Sequence, residues 1–404
     1  MGEAGTVETA APAAQAGTGS APFLMPGEQR LSWEFLVFGR RRAHRQGADA
    51  LHQRYPCIWA RNALYHGLAA LGLVPGDRVL LPAYICATAV EPFLAYGVTV
   101  DFYEVPRDCR VNVASIEASI DHRTRAVVCV HYFGFPQRLA SLRDVCDRHG
   151  IFLIEDCAHV LPDSAADVEM GSVGDVAVFS WRKLLPIGDG AELVINRPRC
   201  AVRVGWERES LLVSLKVIND LCHQLAARSD SRMLRNLYRL LQAPKRLLGR
   251  QASRTLIPVE DDRTPFETRM VNFPMTRVSR WVLHHSDFEA IRTRRKENYR
   301  FLLEALTGLS GVTMPFTGVP DGVCPWVLPV VLDGLANPHW RLRARGIPAV
   351  SWGGVRHPSL PKGRFPQAEF LYDNLIFLPV HQSLGVRDLS LVVDEVKELL
   401  RGRS

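Results

Sequence analysis

Short unbroken apolar runs recur through the first half of the chain, each closed by a turn signal. Residues 151–154 and 176–179 are the clearest; residues 78–81 stop at Pro82, and residues 99–103 and 126–130 read as further strands. Runs of this kind suit strands buried on both faces of a parallel sheet. Between them the apolar period lengthens. Residues 61–72 carry Leu64, Leu68 and Leu71 on one helical face, and residues 139–149 form a second helical stretch closed by Gly150. Strand–helix alternation predicts an α/β fold, a mostly parallel sheet covered by helices. Residues 211–248 read as further helices. Beyond them the pattern predicts a helix over 288–306, a strand over 326–331, a helix over 341–345, a strand over 349–352 and a terminal helix over 389–400. The expected organisation is a disordered tail over 1–28, poor in apolar periodicity, a large domain over 29–280 and a smaller α+β domain over 281–404. Residues 29–56 are read as an arm packing on the large domain or on a partner subunit.

Composition narrows the class. The chain has 404 residues, 47% of them hydrophobic, enough for a sizeable core and more than one domain. The net charge of +7 is compatible with anionic ligands, and no nucleic-acid motif accompanies it. Arginine dominates the basic residues, and Lys183 is the first lysine in the chain. Nine scattered cysteines without a C-x-x-C pair exclude a disulfide framework and a zinc motif, so no metal is expected. No apolar run is long enough to span a membrane, and the N-terminus lacks the pattern of a secretory signal. The expected compartment is the cytoplasm. Arg228, Arg232, Arg235, Arg239, Lys245, Arg246 and Arg250 make the insert at about 197–280 basic. It is either a surface for a peripheral anionic partner, a membrane face or a nucleotide, or the solvated face of extra helices.

The densest chemistry lies in residues 150–196, GIFLIEDCAHVLPDSAADVEMGSVGDVAVFSWRKLLPIGDGAELVIN. One apolar run ends in Glu155-Asp156 and another in Ser180, with Lys183 just beyond. Ligands of open α/β sheets bind past the carboxyl ends of the strands, so Asp156, Ser180 and Lys183 should meet at one crevice. A carboxylate for a pyridinium nitrogen, a hydroxyl for a phosphate and an amine for an imine bond are the groups that hold pyridoxal 5'-phosphate. Taken singly, Asp156 is equally a helix cap and Ser180 a strand-end hydroxyl serving the backbone.

The strings IEDCAH, GSVGDVAVFS and KLLPIGDG resemble the DegT/DnrJ/StrS family of pyridoxal-phosphate-dependent aminotransferases. PGDRVLLPAYICATAVEPFLAYG and TRAVVCVHYFG upstream, and NLIFLPVHQSLG near the C-terminus, are similar to the same family. The resemblance runs from about residue 60 to the end and is weakest over 197–280. It implies the fold of the aspartate aminotransferase class (fold type I) and a homodimer. It also implies transfer of an amino group, from a donor such as glutamate, to a keto-sugar carried on a nucleotide. On it, Lys183 is the lysine bonded to the cofactor and the proton carrier, and Asp156 pairs with the ring nitrogen. His159 would donate to the phenolic oxygen or serve as a structural histidine, and Ser180 would contact the phosphate. Arg61 and Asn62 open a helix where the family has small residues, so backbone N–H groups or Arg61 itself would meet the phosphate. Cys86 stands where many members stack an aromatic ring, with Tyr84 as the alternative cover or as ordinary core. His131, Trp352, His357 and His381 are substrate candidates. The loop from Ser180 to Lys183 is shorter than in most members, and GDGA replaces the commoner GDGG. Rival readings are a cyclitol aminotransferase or other enzyme on the same scaffold, and a non-catalytic cofactor-binding regulator. Dehydrating relatives carry histidine in place of the lysine, which Lys183 argues against.

Overall fold

A computed structural model describes residues 23–37, 53–162, 170–197, 205–228, 266–353 and 356–402. Most of the tail and the basic run 229–265 lie outside the described residues.

Seven strands form the main sheet: β1 (Gln53–Cys57), β2 (Arg78–Pro82), β3 (Thr99–Tyr103), β4 (Thr124–Val130), β5 (Phe152–Cys157), β6 (Val176–Ser180) and β7 (Ala191–Ile195). Their order is β1-β7-β6-β5-β4-β2-β3. From β3 through β6 every neighbour is parallel; β7 and β1 close one edge antiparallel. All five residues of β2 and of β6 are buried, as continuous apolar runs require of a sheet covered on both faces. Helices α1 (Ala60–Ala70), α2 (Ala87–Tyr96), α3 (Val113–Glu117) and α4 (Ala140–His149) cover it. Gly150, left-handed at φ +64°, ends α4.

The expected helices and the expected strands of the main sheet are present to within a few residues at each end, except that of the helices expected over 211–248 only Leu211–Arg228 falls among the described residues. The edge strand β1 and its inner neighbour β7 were not expected. Gln53–Cys57 carries Pro56 and little apolar sequence, which an edge strand tolerates. The basic insert begins with helix α5 (Leu211–Arg228), which buries Val213, Val217 and Leu221. It packs on α6 (Arg277–His285).

After α6 come α7 (Phe288–Leu306), β8 (Val312–Thr313), β9 (Val327–Leu332), α8 (Pro338–Ala344), α9 (Pro366–Asn374), β10 (Leu375–Pro379) and α10 (Val386–Arg401). The three strands form an antiparallel sheet ordered β10-β9-β8. Asp287 caps α7 by accepting from Glu289 N and Ala290 N. The strand expected over 349–352 is corrected: that segment makes a single bridge, Val350 to Phe377. Gly353 then lies so close to the Tyr372 carbonyl that a Cβ would stand 2.2 Å from it, and the chain leaves the sheet.

One apolar core runs from the main sheet into the smaller one. The seam between them is tight. Trp326 N donates to Phe133 O at 2.8 Å. Phe133 and Gly134 are both left-handed, at φ +58° and +91°, and a Cβ on Gly134 would lie 2.3 Å from the Cys324 carbonyl. Only glycine fits that contact. The arm over 23–37 bridges both parts: Leu24 N donates to Gly346 O, Arg30 N to Ser383 Oγ and Leu31 N to Gln224 Oε1.

Candidate functional site

Parallel strands β4, β5 and β6 end side by side, and the next residues of the chain form a cleft there. It spans about 570 Å³ of space, part of it open to solvent. Arg61, Cys86, Asp156, His159, Ser180, Lys183 and Trp352 all line it. Asp156 is the penultimate residue of β5, Ser180 closes β6, and Lys183 sits on the single 3₁₀ turn Trp181–Lys183 that follows. Arg61 is on the first turn of α1, and Cys86 is the residue before α2. The crevice expected from the ends of the apolar runs therefore exists and gathers the expected carboxylate, hydroxyl and amine.

Lys183 Nζ stands 2.9 Å from His159 Nε2 and 4.9 Å from the centroid of the Trp326 ring. His159 stacks on Trp326 at 4.2 Å, with the ring planes 13° apart. Its Nδ1 accepts the backbone N–H of Phe133 at 3.2 Å. Burial, and then the charge of Lys183, hold its pKa well below the usual histidine value. A neutral imidazole whose Nδ1 accepts carries its proton on Nε2. With the tautomer set by the backbone at Phe133, His159 can present a donor to an acceptor in the cleft; toward Lys183 that N–H finds an acceptor only in the neutral amine, since an ammonium has no lone pair.

The Asp156 carboxyl is buried, and Oδ1 accepts Ala158 N–H at 2.9 Å. Burial raises its pKa; the charge of Lys183, the Ala158 N–H and His131 oppose the rise without cancelling it. Its neighbour Glu155 points to the other face of the strand and has a different part. It accepts His131 Nε2 at 2.8 Å, Gly171 N at 3.0 Å, Val173 N at 2.7 Å and Gly174 N. Burial pushes this carboxyl up, but His131 and the backbone N–H groups outweigh it and leave the pKa below the ordinary glutamate value. The glycine-rich loop before β6 is therefore wrapped around Glu155. A Cβ on Gly174 would lie 2.9 Å from Leu153 O and 3.0 Å from Glu155 Cγ. In the GDG sequence, Asp189 is likewise internal, accepting Thr276 N at 2.7 Å, Thr276 Oγ1 at 3.0 Å and Ser279 Oγ.

Five sequence candidates are not among the residues lining the cleft. Tyr84 is buried against Trp352 and Tyr372, with ring centroids 4.9 Å away in each case. Asn62 donates to Met270 O at 2.6 Å. His131 serves Glu155, and its Nδ1 accepts Gln137 N–H. His357 pairs with Glu91 at 3.1 Å. His381 Nε2 meets Pro26 O at 3.1 Å, and burial, reinforced by Arg295, pushes its pKa down to about 3. Each is committed to a contact that holds the fold. Trp326, Phe133, Gln29, Arg295 and Gln382 border or brace the Lys183 turn and were not singled out in the sequence. Their separation along the chain leaves no local motif to find them by.

Comparison with known proteins agrees with the geometry. Residues 60–208 match the model of the DegT/DnrJ/EryC1/StrS aminotransferase family. GDP-perosamine synthase of Vibrio cholerae is 34% identical over 137 residues, 33% of this chain and 37% of that protein. A protein of Acidithiobacillus ferrooxidans, UDP-N-acetyl-3-dehydro-alpha-D-glucosamine 3-aminotransferase, is 34% identical over 142 residues, 34% of this chain and 38% of its own length. The chain thus aligns with well under half the length of these curated relatives. The fold extends further. Helicobacter pylori PseC, an aminotransferase involved in the biosynthesis of pseudaminic acid, superposes with a TM-score of 0.61 at 14% identity, covering 94% of this chain and all of that one. The α/β fold is that of solved aminotransferases, and residues 60–208 are similar to the DegT/DnrJ/EryC1/StrS aminotransferase family.

Proposed function

We propose that the protein is a pyridoxal-phosphate-dependent aminotransferase that moves an amino group from an amino acid, glutamate in our reading, to a keto-sugar carried on a nucleotide. One observation carries the proposal: Lys183 Nζ, the Asp156 carboxyl and Ser180 share one cleft at the ends of adjacent strands. The donor set fits the cofactor. Asp156 is a buried carboxyl whose charge is under-compensated, and a pyridinium N–H is the partner it lacks. His159 presents its Nε2–H where a phenolic oxygen would accept it. Ser180, the first N–H groups of α1 and the Arg61 guanidinium supply the surroundings a phosphate needs.

Bound there, pyridoxal phosphate supplies an electrophilic carbon for amines and an electron sink for the carbanion left when a Cα proton departs. The protein's own groups do the rest. Asp156 would hold the ring nitrogen in its protonated form. Among the described residues Lys183 is the only lysine lining the cleft, and its Nζ takes the Cα proton of the donor and returns it on the acceptor side. Trp352 and the Trp326–His159 stack would give that nitrogen an aromatic, apolar flank. The printed names of both curated relatives concern nucleotide-linked sugars, which supports the acceptor class. We also propose a homodimer, as the family resemblance implies, and a cytoplasmic location; among the described residues no helix is long and apolar enough to cross a membrane.

Borohydride reduction of the cofactor-loaded protein, followed by peptide mapping, tests the centre of the reading. A pyridoxyl label on Lys183, absent in Lys183→Ala, is expected. A label on another lysine overturns it. A mass-spectrometric screen of nucleotide-linked keto-sugars with glutamate tests the acceptor; no amination of any of them overturns that part.

A further inference from the structure

The turn that carries Lys183 is too short to hold itself. It is a 3₁₀ turn of three residues, Trp181–Lys183, and locally it is tied by Leu184 N and Leu185 N donating to Trp181 O. The carbonyls around Lys183 have no helix to join, so their partners must come from elsewhere. They do, from three distant parts of the chain. Gln29 Nε2, on the N-terminal arm, donates to Arg182 O at 2.7 Å and to Leu185 O at 2.9 Å. Gln382 Nε2, beyond β10, donates to Leu184 O at 3.0 Å. Arg295 Nη2, on α7, reaches the same Leu184 carbonyl at 3.4 Å.

Arg295 is the centre of this brace. It is fully buried, and among the described residues no carboxylate pairs with it. Its Nε donates to Gln382 Oε1 at 2.8 Å, and its Nη1 to Trp326 O at 3.0 Å and Pro325 O at 3.3 Å. Desolvation pulls its pKa down to about 10, which still leaves it charged at neutral pH. A buried cation satisfied only by carbonyls and an amide is costly, and an apolar residue would fill the same space without that cost. What an apolar residue cannot do is tie the Leu184 carbonyl to the Trp326 carbonyl. The planar fork of a guanidinium can, and a single ammonium cannot span both. Those two carbonyls belong to the turn carrying Lys183 and to the residue whose ring lies beneath its Nζ.

We propose that Arg295 and Gln29 are positioning residues for Lys183: they fix the backbone on both sides of it and the Trp326 backbone beneath it, and so set where Nζ stands in the cleft. The inference rests on Lys183 being the reactive amine.

The test uses the full-length protein with Gln29→Ala and Arg295→Lys. Without cofactor, Lys183 is acetylated with acetic anhydride and its rate compared with that of exposed Lys362 by peptide mapping. Release from His159 and Trp326 should raise the Lys183-to-Lys362 ratio by about three-fold in Gln29→Ala and further in Arg295→Lys. With cofactor, both the rate of borohydride labelling at Lys183 and kcat should fall by about ten-fold, with the KM of the amino donor within about two-fold, as a misplaced group predicts. Far-ultraviolet circular dichroism checks the fold, and if Arg295→Lys does not fold, Gln29→Ala decides alone. Wild-type acetylation and labelling in Gln29→Ala would overturn the proposal. If the wild type itself carries no label on Lys183, the cofactor reading fails instead, and the acetylation ratio still decides the positioning.

Discussion

Asp156→Asn should stabilise the cofactor-free protein while disabling its chemistry. The carboxyl is buried, keeps one hydrogen bond from Ala158 N and has its pKa raised by burial. A raised carboxyl pKa means the folded state holds the proton more tightly than the unfolded chain. Its favourable contribution is therefore complete below the unfolded value of about 3.9 and is lost as pH rises through the folded one. Asparagine keeps the acceptor for Ala158 and removes the charge. A buried polar group left under-paired costs about 1–3 kcal/mol, so a gain of about 1–2 kcal/mol is expected at pH 7, where the carboxyl would be charged, and none at pH 3. Unfolding entropy scales at about 2.1 cal/mol/K per residue, so for 404 residues the gain amounts to about 1–2 °C in Tm. Parallel thermal scans of wild type and variant at graded pH read this directly. Adding pyridoxal phosphate should reverse the order, because the pyridinium supplies the partner that the wild-type carboxylate lacks. Proton abstraction, followed as donor-dependent spectral change, should slow by at least about 100-fold in the variant. A variant less stable than wild type at pH 7 without cofactor would refute the reasoning, as would a stability difference that does not grow with pH.

Glu155→Gln should destabilise by about 3 kcal/mol, since it breaks a buried, fully bonded carboxylate. Its folded pKa is depressed, so the wild-type advantage is present above the unfolded value of about 4.3 and fades as pH falls through the folded one; urea midpoints that differ equally at pH 3 and pH 7 would count against this. Gly174→Ala should cost about 2 kcal/mol, because the new methyl meets backbone at Leu153 rather than a movable side-chain end; an unchanged urea midpoint would contradict it. Sedimentation should find a dimer at micromolar concentration, and a cofactor-loaded, active monomer would sink that expectation.

Legibility followed chain distance. β2, β4, β5 and β6 were visible because burial on both faces leaves an unbroken apolar run. Asp156, Ser180 and Lys183 were visible because each follows the end of such a run. β1 was hidden because Gln53–Cys57 pairs only at an edge and buries little. Residues 349–352 looked like a strand for their apolar content, yet the close approach of Gly353 to Tyr372 allows one bridge only. Tyr84 and Cys86 show the limit at short range. Both follow β2, and the turn of the backbone between them puts the phenol into an aromatic cluster and the thiol on the cleft wall. The histidines that pair with Glu91, Glu155 and Pro26 could not be told from ligand-binding ones, because their partners lie 24 to 355 residues away.

The seam at Phe133, Gly134 and Trp326 bears on how far the family stretch can be used as a part. Residues 60–208 contain every group proposed for the chemistry except the two tryptophans, Trp326 and Trp352. Yet the floor under Lys183 is Trp326, and the ties on its turn come from residues 29, 295 and 382. Transplanted alone, the recognisable segment would bring the reactive groups without the mould that gives them a shape. A chimera with a relative must therefore exchange at the outer helices and keep the arm, α7 and β9 with their own Lys183 loop.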